Sequence, residues 1–452
     1  MENVIKIKKG LDIPIQGIAD GSLRAPTLIF EEYAVKPTDF YGLRPKLMVK
    51  EGERVLAGTP LFFDKHDERI QITSPVSGQI QKIVYGEKRR IEEVRIHADQ
   101  EVEYVNFPLC PLADLNTEKV KELLLASGLW AMIRQRPFDI IANPSHTPKA
   151  IFISGFDTAP LAADYDVMVH GRGEFFQAGI EAVRFLTKGK IHLNLHAKRT
   201  SSEVFIRSKH VEIHYFEGPH PSGNISVQVQ QLEPINKGEE IWYIHPQDII
   251  AIGHLFMDGK YDATKIVALA GSEVKRTGYH RILSGVNVGY LLADNLITDN
   301  SRIISGNVLT GTNIGTSGYL GFYDHLISVV PEGNRYRFMG WLTLGLHRYS
   351  FSHSFFSWLF PHKQYKMDTN LNGGQRAFVM TGEFEKVFPM DIYPLQLIKA
   401  CITKDIDAME QLGIYEVVPE DFALCEYIDI SKTDIQQIIR EGIDLIREET
   451  EG

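Results

Sequence analysis

Apolar positions follow four successive spacings along the chain. Val4, Ile5 and Ile7, set among Lys6, Lys8 and Lys9, read as a first strand. Val49, Val55, Leu61, Phe62, Ile70, Ile72, Ile80 and Ile83 then fall in short runs cut by Gly52, Gly58, Pro60, Pro75, Gly78 and Gly86. Short alternating runs between tight turns predict a small barrel or sandwich. From Asn116 the period becomes helical: Val120, Leu123 and Leu124 predict a helix over 119–129, and Phe175, Phe176, Ile180, Val183 and Leu186 another over 174–187. Runs at 149–154, 191–195, 204–206 and 211–215 predict strands, and 248–257 a closing helix. Helix alternating with strand predicts an α/β layer on a largely parallel sheet. Short strands return at 265–271, 303–306 and 319–321, where Gly306, Gly311, Gly315, Gly318 and Gly321 mark turns. Helices are predicted over 394–402, 405–412 and 434–447, the last with Ile435, Ile438, Ile439, Ile443 and Ile446 on one stripe.

A chain of 452 residues exceeds one ordinary core and calls for about three domains. The spacings divide it into a β-rich unit over 1–105, an α/β unit over 112–258, a small β-rich unit over 259–332 and a C-terminal unit over 333–452 that ends in helices. Apolar residues at 44% and charged ones at 23% are globular values and argue against disorder. A net charge of −10 lacks the cationic field on which nucleic-acid affinity rests. Cys110, Cys401 and Cys425 are the only cysteines, and no C-x-x-C occurs. That excludes a disulfide scaffold and a cysteine-held zinc or cluster, and fits a reducing compartment. No run approaches the roughly 20 apolar residues of a spanning helix, and the basic N-terminus lacks the apolar region of a signal peptide. Service at a membrane is therefore expected to run through a partner.

Candidate chemistry is sparse. Neither G-x-S-x-G nor G-x-x-x-x-G-K-[ST] occurs. Gly171-Arg172-Gly173 opens like a dinucleotide fingerprint, but Phe176 stands where the third glycine belongs, so it reads as punctuation before a helix. His192 and His196 are four apart, as are His210 and His214; a metal site needs a third ligand that the spacing does not supply. With 58 acidic residues, no carboxylate pair stands out as general acid and base. The order V-x-x-G-x-x-V, Asp64-Lys65 and Ser74-Pro75-Val76-Ser77-Gly78 resembles the barrel-sandwich of biotinyl and lipoyl carriers. Lys65 is followed by His66-Asp67 rather than Met or Ala, so it reads as a surface lysine, with the carrier role as the alternative.

Longer stretches carry a broader likeness. They include Ile7-Lys8-Lys9-Gly10-Leu11-Asp12-Ile13-Pro14, Gly42-Leu43-Arg44-Pro45, Ser127 through Phe138, Phe216 through Gly223, Ile304 through Thr312, Leu424-Cys425 and Gly442 through Ile446. In this order they resemble the A subunit of the sodium-translocating NADH:quinone oxidoreductases (Na⁺-NQR), a family related to the flavin and iron–sulfur subunit of complex I and to the C subunit of the Rnf-type complex. The resemblance implies a barrel-sandwich module, a Rossmann-like α/β domain, a small β-grasp (SLBB-like) domain, and a helical tail like an iron–sulfur domain without its cluster. It also implies a peripheral component on the cytoplasmic face of the bacterial inner membrane. Such a component docks chiefly on the membrane-embedded B subunit of a complex that oxidises NADH, reduces ubiquinone or menaquinone and moves Na⁺. FAD, FMN, riboflavin and [2Fe–2S] would sit in the other subunits, with no cofactor and no catalytic centre in this chain.

Relatives hold FMN on a G-G-x-G-F-P turn whose glycines let backbone N–H groups reach phosphate. Ala131-Met132-Ile133-Arg134-Gln135-Arg136-Pro137-Phe138 corresponds to it here, with bulky residues in place of the glycines. One thiol, Cys425, remains where relatives carry a cluster, and one thiolate cannot hold a cubane. A stand-alone flavin or iron–sulfur oxidoreductase is the alternative reading. A quinone needs a flat apolar surface and a few donors. Phe40, Tyr41 and Arg44, with Trp130, Arg134, Arg136 and Phe138, set rings beside cations and are the quinone-proximal candidates. Phe351, Phe355, Phe356 and Trp358, read on a helix near Lys363 and Lys366, are the partner-docking candidates.

Overall fold

The computed structural model describes residues 4–334, 339–379 and 382–451. In the N-terminal unit, a four-stranded sheet (Glu32–Val35, Ile91–Ala98, Gly78–Tyr85, Arg54–Val55) and a three-stranded one (Pro45–Leu47, Pro60–Asp64, Gln71–Thr73) share a core. Val55, Leu61, Phe62, Ile72, Ile80, Val94 and Ile96 fill it from the strands of both sheets. This is the expected barrel-sandwich. Two early strands leave it, however. Val4–Lys6 pairs in parallel with Glu212–Glu217 of the α/β sheet, and Leu23–Leu28 pairs with Gly278–Leu283 of the third unit. The first thirty residues thus stitch three units together, which no local period could reveal.

The α/β unit is built on a seven-stranded sheet ordered Val4–Lys6, Glu212–Glu217, Ile191–His196, Ile151–Ser154, Ile241–Tyr243, Arg134–Arg136, Ile140–Ile141. The first five run parallel and the last two join through antiparallel pairings. Helix Thr117–Ser127 starts where the Asn116 side chain accepts the Lys119 N–H and stops at Gly128 in the left-handed region. Helices Gly173–Val183 and Pro246–Asp258 cross at two glycines. A Cβ on Gly179 would lie 2.0 Å from the Ile249 carbonyl, and one on Gly253 would lie 1.9 Å from that of Phe175. Only hydrogen side chains allow that approach.

Two predicted strands are corrected: residues 319–321 make only a single isolated bridge, Tyr319 to Asn287, within a connection. Residues 204–206 belong to a single helical turn, Glu203–Ile206, preceded by Ser201 and Ser202 whose N–H groups bond to Asp166. Phe205 is buried edge-on to Phe176, 5.5 Å between ring centres. A three-residue apolar run cannot tell a buried strand from a buried helical turn.

The third unit is a six-stranded sheet ordered Thr312–Asn313, Ser301–Ser305, Leu326–Pro331, Thr264–Ala270, Gly278–Leu283, Leu23–Leu28. Beyond it come helices Pro394–Thr403, Ile406–Gln411, Ala423–Ile428 and Ile435–Glu451. Ile435, Ile439, Ile443 and Ile446 are buried, whereas Ile438 sits at the edge of the stripe. The aromatic run 351–360 is not the predicted helix: only Phe356–Leu359 forms a short 3-10 turn. Phe351 and Phe355 are half-buried while Phe356, Trp358 and Phe360 are exposed, so the rings share no single buried face to fix a longer helix there. Among the described residues no helix is long and apolar enough to cross a membrane.

Candidate functional site

Open parallel sheets leave a crevice where connections depart in opposite directions, outside the carboxyl ends of the strands. Here that point lies between Ile151–Ser154, whose successors pair away on one side, and Ile241–Tyr243 on the other. A cavity of about 430 Å³ occupies it. Ser154, Phe156, Tyr243 and His245 line it from the strand ends and His220 from the turn that follows Glu212–Glu217. Tyr323 and His325 enter from the third unit, and Glu420, Gln436 and Arg440 from the C-terminal helices. Three units therefore meet around one volume.

One wall is a buried ionic network centred on Asp139. Arg134 and Arg136 pair with its carboxylate, the Tyr243 hydroxyl donates to it, and Arg440 stands 4.0 Å away. Burial alone would raise this carboxyl; the two guanidiniums override it and hold it down at about 2. Arg136 also reaches Glu420 at 2.8 Å. Arg134 lies 4.5 Å from the Tyr323 ring centre and 5.2 Å from that of Tyr243. The Tyr323 hydroxyl donates to the Ala131 carbonyl at 2.7 Å, so the cavity meets its ring rather than a free O–H. Cations on this wall are already compensated.

The opposite wall carries two histidines. Pro246 opens helix Pro246–Asp258, and His245 caps it by accepting the Gln247 N–H at Nδ1. His325 stacks on His245 with ring centres 3.6 Å apart and 13° between planes. Gln247 accepts from the Ile266 N–H, which turns its amide nitrogen toward His325 Nδ1 at 3.1 Å. Burial pushes both imidazoles well below their ordinary value, so they are neutral. With both Nδ1 atoms accepting, both Nε2 atoms carry hydrogen. Among the described residues neither Nε2 has a hydrogen-bond partner, though both are buried. Asp248, on the first turn of the same helix, is raised by burial to about 6, against the pull of Lys265 and Arg134.

The sequence candidates spread around this cavity. Arg134 lines it. Tyr41 stacks on Arg440 at 3.6 Å and donates to Asp444, standing one layer behind. Phe40 is buried against Phe322 and Tyr323, backing that wall, and Phe138 packs edge-on to Tyr415. Trp130 is fully buried, donating to the Ala142 carbonyl at 2.7 Å and lying edge-on to Trp242. Arg136 acts through Asp139 and Glu420. Arg44 is exposed, and its backbone holds Asp64 and Lys65 at the hairpin tip. Sequence reasoning missed Asp139, Tyr243, His245, Asp248, Tyr323, His325 and Arg440, which only tertiary structure assembles. The one available signal was His245-Pro246, a polar residue just before a helix-opening proline.

Ala131 and Ile133 bond to the Gly128 and Trp130 carbonyls, and Arg134–Arg136 is paired on both sides within the sheet. Cys401 and Cys425 are buried among the C-terminal helices, where burial raises the thiols, that of Cys401 to about 12. Lys65 is exposed, but its loop is pinned to the α/β unit through Arg69, which bonds to Ser145 at 2.8 Å. Gly171 and Arg172 form a turn whose guanidinium bonds to Gln247, supporting the histidine wall. In the docking segment Phe351 packs on the C-terminal core and Phe355 is half-buried, while Phe356 and Trp358 are 48% and 50% exposed.

Fold and cavity define a class: a multidomain scaffold holding a ligand volume between an α/β sheet, a small β unit and a helical tail. Its units match three family models in chain order: the NqrA N-terminal barrel-sandwich hybrid domain over 5–99, the NqrA second alpha/beta domain over 115–261, and the NQRA C-terminal domain, an SLBB model, over 266–315. The chain is 36% identical over 457 residues to the A subunit of the Na(+)-translocating NADH-quinone reductase of Serratia proteamaculans, covering 99% of this chain and 100% of that relative. Over 456 residues it is also 36% identical to the corresponding subunit of Neisseria gonorrhoeae, with the same coverage. A chain of an NAD⁺-reducing [NiFe]-hydrogenase superposes at TM-score 0.39 and 12% identity over 77% of this chain and 67% of its own, too loosely to carry any argument. The chain belongs to the NqrA family, the A subunits of the Na⁺-translocating NADH-quinone reductases.

Proposed function

We propose that the chain works as the peripheral NqrA component of a complex that oxidises NADH, reduces quinone and moves Na⁺ across a membrane. In this reading its task is assembly and quinone access, with no catalytic centre of its own. The observation that carries the quinone reading is the pair of neutral imidazoles of His245 and His325 that line one cavity with Tyr243 and Tyr323; their buried Nε2–H groups have no partner among the described residues and would have to turn toward the cavity to donate. A quinone carbonyl is a neutral acceptor on a flat ring, which suits such donors and such walls. A phosphate suits it less, because Arg134, Arg136 and Arg440 already share the charges of Asp139 and Glu420. The engaged N–H groups of Ala131 and Ile133 and the sheet pairing of Arg134–Arg136 likewise disfavour a flavin phosphate cradle. In this reading flavins and [2Fe–2S] sit in other subunits.

Docking on the membrane-embedded B subunit is assigned to the segment around Phe356, Trp358, Leu359 and Phe360, with Leu342 and Leu344 beside it. All six are exposed, a concentration that a surface facing only water rarely keeps. The test is reconstitution. A complex stripped of its NqrA component should regain quinone reduction when this chain is added. His325→Ala should lower quinone reduction while NADH oxidation by an artificial acceptor is spared. Equal loss in both assays would remove the quinone role, and stoichiometric flavin released on denaturing the purified chain would restore the flavoprotein reading.

A further inference from the structure

Away from the cavity, the parallel register sets His192 opposite Glu212 and Asn194 opposite His214. Glu212 and His214 are two apart on one strand, so alternation puts them and His192 on one face of the sheet. His192 Nδ1 and His214 Nε2 face each other at 3.0 Å, and a Glu212 carboxylate oxygen lies 4.0 Å from the latter. All three ligand atoms fall within 4.8 Å of one another. Spacing in the sequence pairs these histidines differently, four apart on one segment; in the fold the ligands come together across two neighbouring strands.

His192 is 3% exposed and packs on Phe152 at 4.6 Å, which fixes its ring. Its Nε2 meets Glu233, just past helix Ile225–Leu232, at 3.0 Å. A carboxylate only accepts, so Nε2 carries the hydrogen and Nδ1 keeps a lone pair aimed at His214. A carboxylate on the far nitrogen is the usual support of a metal-bound imidazole. We infer that His192 Nδ1, His214 Nε2 and Glu212 bind one divalent transition-metal ion of the zinc class, with Glu233 as a positioning residue.

Metal–nitrogen bonds of about 2.0–2.1 Å in tetrahedral geometry set the two nitrogens about 3.4 Å apart, a few tenths more than found here. His214 and Glu212 are partly exposed and have room to open by that amount, and solvent supplies the fourth position. His214 then keeps its hydrogen on Nδ1, so binding needs a tautomer change and no net proton loss. Glu212 must exchange its 3.0 Å pairing with exposed Lys190 for the ion. The carboxylates of Glu212 and Glu233 balance the double charge. The other triad within 4.8 Å, His245, Asp248 and His325, is less suited, because both Nδ1 atoms already accept and both Nε2 atoms carry hydrogen.

The test is calorimetric titration of the untagged chain with zinc chloride. One ion per chain should bind, and His214→Ala and Glu233→Gln should each weaken it by about tenfold or more. Glu212→Gln, at an exposed position that does not threaten folding, should do likewise. Absence of saturable binding, or native affinity in the His214→Ala and Glu212→Gln chains, would overturn the assignment. So would anomalous density at the zinc edge lying beside His245 rather than between His192 and His214.

Discussion

The cavity and the segment around Phe356 invert the usual burial rule in opposite senses. At the cavity, charged and polar groups lie inside: Arg136 is 2% exposed and Asp139 is enclosed by guanidiniums. Around Trp358, large apolar rings lie outside. Buried charge is retained only where partners offset its lost hydration, and exposed apolar surface persists where something else covers it. The first region is thus organised by internal compensation and the second by an external surface. Damage to the first should show in the isolated chain, and damage to the second only in the assembly.

The largest effect should follow Asp139→Ala, which strips Arg134, Arg136 and Arg440 of a shared counter-ion. Unfolding by denaturant should show a loss of about 3–5 kcal/mol. A loss under about 1 kcal/mol would mean that water already solvates the network. Next is Asp248→Asn. Because burial raises the Asp248 carboxyl to about 6, the folded state favours its neutral form. The associated stability is full below the unfolded value near 4 and is lost as pH rises through about 6. Asparagine should therefore stabilise the chain by up to about 3 kcal/mol at pH 8, with the gap closing toward pH 4. A gap that widens on acidification would reverse the assignment.

Smaller changes sharpen the contrast. His325→Ala should weaken quinone binding by about 1–2 kcal/mol, whereas His325→Gln, which keeps an N–H donor, should recover most of it. Equal loss in both would point to packing instead. Trp358→Asp and Phe356→Asp should leave the isolated chain within about 0.5 kcal/mol of native stability yet prevent co-purification with the membrane-embedded partners. Native yield of the complex would free this segment from the docking role.

Local period made the barrel-sandwich, the α/β alternation and the C-terminal stripe legible, since each is written in neighbouring residues. Val4–Lys6 was legible as a strand but not in its sheet, and Leu23–Leu28 not at all, because their pairing partners lie hundreds of residues away. Of the cavity, the stretch 130–138 was readable as aromatic and basic, and Arg134 does line it. Its partner Asp139 went unremarked among 58 acids, and His325 has no local mark at all. The run 351–360 shows the converse failure. Aromatic density resembles a helix face on paper, but the rings divide between half-buried and exposed positions, and the chain forms one short turn.

The most direct test of quinone access through this chain is crosslinking by a photoreactive quinone on the assembled complex, mapped by peptide mass spectrometry. Adducts are expected on cavity residues, Tyr323, His325 and Tyr243 foremost, and an excess of unlabelled quinone should suppress them. Adducts confined to the exposed stretch around Trp358, or none on this chain while its partners are labelled, would contradict that expectation.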